Sequence, residues 1–248
     1  MSLQDVVYRL DPALWCADVL GWQPDQWQAE VLRSADPRIL LCCSRQSGKT
    51  QTVAALALHE AIYNPGALIL MVSPSLRQSS EAFRRVAGFY QTICSAVPSA
   101  AESALRLELE NGSRIVSLPG QEQTIRGFGG VKLLIIDEAA RVEDELYLAV
   151  RPMLAVSDGR LIALSTPFGK RGWFFQAWSN PEGWRTWTVT ADQCPRISRE
   201  FLEEERRSMP KNWFEAEYYC KFTEVEDSVF GYDEVTRAIS ADVEPLEV

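Results

Sequence analysis

The octet Cys43-Ser44-Arg45-Gln46-Ser47-Gly48-Lys49-Thr50 carries the residue types that hold a phosphate chain. A glycine, a lysine and a hydroxyl residue between an apolar run and a helix-forming stretch make the pattern of a P-loop. Backbone N–H groups of such a turn, and of the helix that follows, point at phosphate oxygens. Lys49 would reach the β- and γ-phosphates, and Thr50 would set its hydroxyl on Mg²⁺. Ser44, Gln46, Ser47 and Gly48 complete the cradle. The first glycine of the usual Gly-x-x-x-x-Gly-Lys-Ser/Thr pattern is missing, because Cys43 stands there. A chance Gly-Lys-Thr at the start of a helix is the competing reading.

A second motif weakens that alternative. Leu133-Leu134-Ile135-Ile136-Asp137-Glu138 is an apolar run ending in two carboxylates. Asp137 suits Mg²⁺, directly or through water. Glu138 suits the orientation and deprotonation of an attacking water. Third in chain order comes Leu164-Ser165-Thr166-Pro167. A small hydroxyl at such a strand end can sense a γ-phosphate and relay hydrolysis to a moving element.

These groups need elements that bring them to one edge. Ile39 to Cys43, Ala67 to Val72, Lys132 to Ile136 and Arg160 to Ser165 read as buried parallel strands. Trp184 to Thr190 reads as a further strand. Lys49 to Tyr63, stopped by Asn64-Pro65-Gly66, reads as a helix. Leu76 to Val97, Glu143 to Leu154, Arg199 to Ser208 and Asn212 to Cys220 read as helices, and residues 1–37 as a Trp-rich helical region. Leu105 to Leu109 and Arg114 to Leu118, flanking Asn111-Gly112, predict a hairpin. Strands alternating with helices imply an α/β fold with a mostly parallel sheet, whose strand ends line the ligand edge. The tail from Glu224 to Val248 reads as a linker or partly ordered end.

With 248 residues, 46% of them hydrophobic, the chain can bury one sizeable core and a small appendage. No apolar run nears the roughly 20 residues that span a bilayer, and the N-terminus lacks a secretory pattern. An intracellular protein with reduced thiols is expected. The six cysteines form no Cys-x-x-Cys pair and one histidine, His59, accompanies them, so no zinc set is read. A net charge of −9 excludes coating of nucleic acid by bulk electrostatics and leaves room for local phosphate contacts.

The motifs together resemble the ATPase domain of viral (bacteriophage) terminase large subunits. Ser44 to Thr50, with Arg45 ahead of the glycine, resembles that family's variant Walker A. Ile135-Ile136-Asp137-Glu138-Ala139-Ala140 resembles its Walker B, and Ser165-Thr166-Pro167 its coupling motif. Pro24, Trp27 and Gln28 resemble a Pro-x-x-Trp-Gln segment associated with the adenine. Thr124-Ile125-Arg126-Gly127 resembles the stretch supplying a neighbour-facing arginine. Phe214-Glu215-Ala216-Glu217-Tyr218 and the acidic stretch ending in Phe230 resemble the end of the ATPase portion.

The resemblance implies an additional-strand P-loop NTPase: a core over 1–195 and a small C-terminal helical subdomain, or lid and linker, over 196–248. It implies ATP and Mg²⁺ as ligands, Glu138 as base, Thr166 as coupling residue, and Arg45 turning to the γ-phosphate or to a partner. Arg126 is either a trans-acting finger or a surface arginine. Gln28 either pairs with adenine or is an exposed helix position. The implied partners are double-stranded DNA, a portal protein, a small terminase subunit and further copies in a ring, in the host cytoplasm. The family's RNase H-like nuclease domain has no counterpart here, so nuclease activity is not expected.

Lys170 and Arg171 form a basic turn able to touch DNA phosphates. The pairs Arg84-Arg85 and Arg206-Arg207 read as solvated faces. Trp173, Trp178, Trp184 and Trp187 read as core, and His59 as structural. Rival readings are another P-loop DNA translocase or helicase, for which the chain is too short to hold a second lobe, and a nucleotide-dependent switch without sustained turnover. Glu138 argues against the switch.

Overall fold

The nearly uninterrupted apolar runs at Arg38–Cys43, Val131–Asp137 and Arg160–Ser165 are what strands covered on both faces require. The computed structural model describes residues 2–94, 96–120, 125, 127–224 and 232–238. In it these runs are β1, β6 and β7, joined by β2 (Leu68–Ser73), β3 (Ser99–Ser103), β4 (Arg106–Leu109), β5 (Arg114–Pro119) and β8 (Arg185–Val189). The eight strands form one sheet in the order β3-β4-β5-β2-β6-β7-β1-β8. From β5 to β8 every pairing is parallel, and β3 and β4 extend the sheet antiparallel.

β7 lies between the P-loop strand β1 and the carboxylate strand β6 and pairs with both. That insertion is the additional strand the resemblance implies. The register sets Cys42 opposite Ser165, and Leu164 opposite Asp137. The three motifs therefore end side by side along one edge.

Alternate residues of each strand face opposite layers. Ile39, Leu41 and Cys43 join one core with Ile135 and Leu164, covered by α2 (Pro12–Asp18), α3 (Gln26–Arg33), α4 (Lys49–Tyr63) and α5 (Leu76–Gln91). Leu40, Leu134, Ile136 and Ala163 join the other, covered by α6 (Asp144–Val150) and α7 (Gly172–Ser179). Most of α4 is buried, from Lys49 to Ala61, so it runs through the protein with its N-terminus at the site. The N-terminal region is helical as expected, with α1 (Leu3–Leu10) preceding α2 and α3. Asp11 caps α2 ahead of a first-turn proline.

Several elements differ from the sequence reading. The helix expected over Glu143 to Leu154 splits into α6 and a 3₁₀ turn, Arg151–Leu154. Pro152 explains the break, since it offers no N–H to continue the ladder. The helix expected to Val97 ends at Gln91. β3 and α7 had no expectation. The hairpin forms about Asn111-Gly112, where Gly112 takes φ +84°.

Beyond the sheet, α8 (Arg199–Ser208) and α9 (Lys211–Tyr219) pack through Leu202, Phe214 and Tyr218 on Ala191. The tail includes one more helix, α10 (Tyr232–Ala238).

Candidate functional site

The chain leaves β1 at Cys43 and turns left-handed at Gln46 and Gly48, with φ of +58° and +92°. Cys43 itself still belongs to the strand, fully buried and paired with Val189. A glycine is not needed there, which accounts for the missing first glycine. Burial pushes the Cys43 thiol up, so it packs as a neutral apolar group. Gly48 precedes the first helical residue, Lys49. A Cβ at Gly48 would stand 2.7 Å from Gln28 Nε2, so the close approach as well as the backbone requires glycine. The Ser47 hydroxyl donates to the Ser44 carbonyl at 2.9 Å, closing the loop. The first N–H groups of α4 lack intrahelical acceptors by construction, and they make an anion cradle.

Lys49 is buried, and its Nζ lies 3.1 Å from Glu138 Oε1. Burial pushes its pKa down, but Glu138 and Asp137 outweigh burial and the net direction is up, so the ammonium stays charged. Thr50 Oγ1 donates to Asp137 Oδ2 at 2.9 Å, and the Glu138 N–H donates to Asp137 Oδ1 at 2.9 Å. Burial, aided by the neighbouring Glu138, raises Asp137 to about 6 against the opposing pull of Lys49 and Thr50. Glu138 has a left-handed backbone, φ +52°. That costs about 1–2 kcal/mol without glycine, a strain typical of functional positions.

This donor set fits Mg²⁺. One hydroxyl and one desolvated carboxylate stand in contact, ready to share a cation whose remaining ligands are water and phosphate. Among the described residues no group of three or more His, Cys, Asp or Glu side chains could form an all-protein cage, which is the arrangement Mg²⁺ uses least.

Thr166 is buried at the end of β7, and Arg141 Nη1 reaches its Oγ1 at 3.3 Å. Arg45 is exposed, with Nε 3.5 Å from Glu217 Oε2, an ion pair longer than a well-formed hydrogen bond. Its backbone N–H donates to the Glu217 carbonyl at 2.8 Å. Gln28 is buried beneath the loop rather than exposed. Its Oε1 accepts from the Asp25 N–H at 2.8 Å, and its amide nitrogen faces Gly48. The structure thus brings Gln28, Arg45, Ser44 to Thr50, Asp137, Glu138 and Thr166 together. Arg126 and Thr124, like Phe230, lie outside the described residues.

Two arginines escaped the sequence reading. Arg196 grips Asp25 with two hydrogen bonds of 2.9 and 2.7 Å and donates to the Ser47 carbonyl at 2.8 Å. It staples the P-loop to the cap of α3 from far along the chain, where no local signal marks it. Arg141, three residues beyond Glu138, donates to Glu138 Oε2 at 3.2 Å. That spacing was legible as an i, i+3 pair.

The remaining candidates fall outside the site's centre. Lys170 pairs with Glu224 at 2.8 Å, and Arg171 lies over the Phe168 ring at 4.6 Å. Arg84 pairs with Glu81, Arg85 donates to Gln51, and Arg206 pairs with Glu203. Trp173 is buried, stacked on Tyr147 at 4.0 Å, with its indole N–H on the Val142 carbonyl. Trp178, Trp184 and Trp187 are half-buried against the two cores. His59 is buried between Trp15 and Tyr63, with Nε2 2.9 Å from the Tyr8 carbonyl oxygen.

Residues 40–237 match the family described as terminase large subunit, T4likevirus-type, N-terminal. The chain is 26% identical over 267 residues to the terminase large subunit of Thermus virus P23-45, covering 90% of this chain and 53% of that protein. It thus spans about half the length of the curated relatives it matches. The fold matches the large terminase ATPase domain of Thermus phage P74-26 with a TM-score of 0.76 at 24% identity, over 86% of this chain and 100% of that one. It also matches a large terminase of a thermophilic bacteriophage solved in complex with ADP, with a TM-score of 0.63 at 14% identity, over 80% of this chain and 53% of that one. By the extent of the family match, with the P-loop, the strand-end carboxylates and the Ser-Thr-Pro turn set along one sheet edge, the chain belongs to the terminase large subunit family and corresponds to its N-terminal region.

Proposed function

We propose that the chain hydrolyses ATP with Mg²⁺ and couples hydrolysis to the movement of double-stranded DNA into a viral capsid. The observation that carries the reading is the contact set of Lys49, Thr50, Asp137 and Glu138 at the mouth of one P-loop. The ADP complex of a structurally similar large terminase supports nucleotide binding here.

The phosphates enter among the loop and helix N–H groups. Lys49 turns from Glu138 to the phosphate oxygens. Thr50 Oγ1 and the Asp137 carboxylate would hold Mg²⁺, which supplies neutralisation of charge on the β- and γ-phosphates. Glu138 loses one of its two cationic partners and orients the attacking water, whose proton its carboxylate accepts. The bond from the γ-phosphorus to the bridging oxygen breaks, and ADP takes the electron pair. Arg45, exposed and loosely held, swings toward the γ-phosphate. Thr166 relays the loss of phosphate, and 196–248 acts as the lid and linker. Gln28 fixes the loop from below and faces the base. Arg126 is proposed as the finger from a neighbouring copy.

The working assembly is a ring at a portal protein, served by a small terminase subunit, in the host cytoplasm. Steady-state ATP turnover with and without duplex DNA tests the coupling. Stimulation by duplex, lost in Thr166→Ala with nucleotide affinity kept, is expected. Turnover indifferent to duplex and to Thr166→Ala would remove the motor reading.

A further inference from the structure

Arg141 has no part in the roles above, yet its guanidinium touches three parts of the site. Nη1 is shared between Glu138 Oε2 at 3.2 Å and Thr166 Oγ1 at 3.3 Å. Nη2 faces Glu217 Oε1 on α9 at 3.6 Å. The guanidinium carbon sits 4.5 Å from the centre of the Phe168 ring, two residues past Thr166. The side chain is 30% exposed, and it keeps its charge at any working pH.

We propose that Arg141 is a positioning residue: it holds the Glu138 carboxylate in the site after Lys49 has turned to the phosphates, and ties that carboxylate to the Thr166 turn and to α9. The inference rests on the reading of Glu138 as the base. In the structure the two oxygens of Glu138 are divided, Oε1 to Lys49 and Oε2 to Arg141. A lysine drawn to phosphate abandons the first oxygen. The second stays anchored, so the carboxylate is freed to take a proton without being released from its place. The anchor matters because the Glu138 backbone is strained into the left-handed region, where the chain alone favours relaxation.

A solvated i, i+3 ion pair would contribute only about 0.2–0.5 kcal/mol and nothing to turnover. Arg141 differs, because its other partners are a buried hydroxyl at the end of β7 and a carboxylate that also pairs with Arg45. When Arg45 leaves for the γ-phosphate, Glu217 is left facing Arg141. The Walker A arginine, the base and the coupling turn are thus connected through one planar guanidinium. Lysine, a point donor on a flexible stem, cannot reproduce that fork.

The test compares wild type, Arg141→Ala, Arg141→Lys, Glu138→Gln and the Arg141→Ala/Glu138→Gln double variant. Single-turnover hydrolysis of ATP and binding of a fluorescent ATP analogue are measured for each. Arg141→Ala should slow hydrolysis about 10- to 100-fold while affinity stays within about threefold. Arg141→Lys should recover only part of the rate. The double variant should be as slow as Glu138→Gln alone, because residues acting as one unit are not additive. An unchanged rate in Arg141→Ala, losses that multiply in the double variant, or affinity falling in step with rate would each overturn the proposal. If wild-type turnover is absent or survives Glu138→Gln, the base assignment has failed instead. The same proteins then decide the Arg141 claim by unfolding: midpoints that fail to add in the double variant support the hold on Glu138, and strict additivity overturns it.

Discussion

Replacing Asp137 with asparagine should stabilise the nucleotide-free protein at neutral pH while disabling it. Asp137 is buried, and its carboxyl is raised from 3.8 to about 6. The folded chain therefore holds the proton more tightly than the unfolded chain. The stability tied to that proton is fully present below pH 3.8 and is lost as the pH climbs through about 6. The difference amounts to about 3 kcal/mol of strain carried at pH 7.5.

Asparagine removes the buried charge. It has one acceptor oxygen, so it cannot keep both the Thr50 Oγ1 and the Glu138 N–H bonds of 2.9 Å. Losing one offsets about 1 kcal/mol. The net gain is about 2 kcal/mol, or about 4–8 °C in melting midpoint for a domain of this size. Scanning calorimetry of both proteins from pH 5 to pH 8 reads it, and the gross advantage should shrink to about half by pH 5. A variant no more stable than wild type at pH 7.5, or a gain that does not change with pH, would refute the reasoning. Mg²⁺ with ATP should raise the wild-type midpoint and leave that of Asp137→Asn nearly unmoved.

Other perturbations follow from the same geometry. Gly48→Ala forces a left-handed backbone and drives a methyl toward Gln28, whose amide is held by the Asp25 cap. Stability should fall by about 1–2 kcal/mol and affinity for ATP about tenfold or more, read by melting and by nucleotide titration. Arg196→Ala cuts the staple between Asp25 and the Ser47 carbonyl. It should raise the KM for ATP about three- to tenfold with kcat little changed, as steady-state kinetics will report. Burial lowers His59 to about 4, so its contribution is full above 6.5 and is lost as the pH falls toward about 4. His59→Phe should abolish that loss in an acid melting series. The Asp137 and His59 effects oppose each other over one pH range, so each variant exposes what wild type conceals.

The strands and the chemistry were legible where one local cause decided them. β1, β6 and β7 could be read because burial on both faces demands unbroken apolar runs, and α4 because no breaker interrupts it before Asn64. β3 was not, since its Ser99–Ser103 segment is mostly exposed and carries no alternation. α7 was missed because its buried aromatics follow two glycines that read as a loop. Spacing alone does not predict that β7 inserts between β6 and β1; the resemblance implied it. Gln28 looked undecided because its partners, the Asp25 N–H and Gly48, meet it only when α3 packs beneath the P-loop. Arg196 and Glu217 act through the tertiary fold, from about 150 and 170 residues beyond the loop they touch.

The central claim is that Glu138 activates water against ATP held by Lys49 and Thr50. Its most direct test is the hydrolysis rate of pre-bound Mg²⁺-ATP in wild type and Glu138→Gln, with duplex DNA present. The account predicts that both bind ATP alike and that the variant hydrolyses it about 100-fold or more slowly. Equal rates in the two proteins, with ATP bound in both, would contradict it.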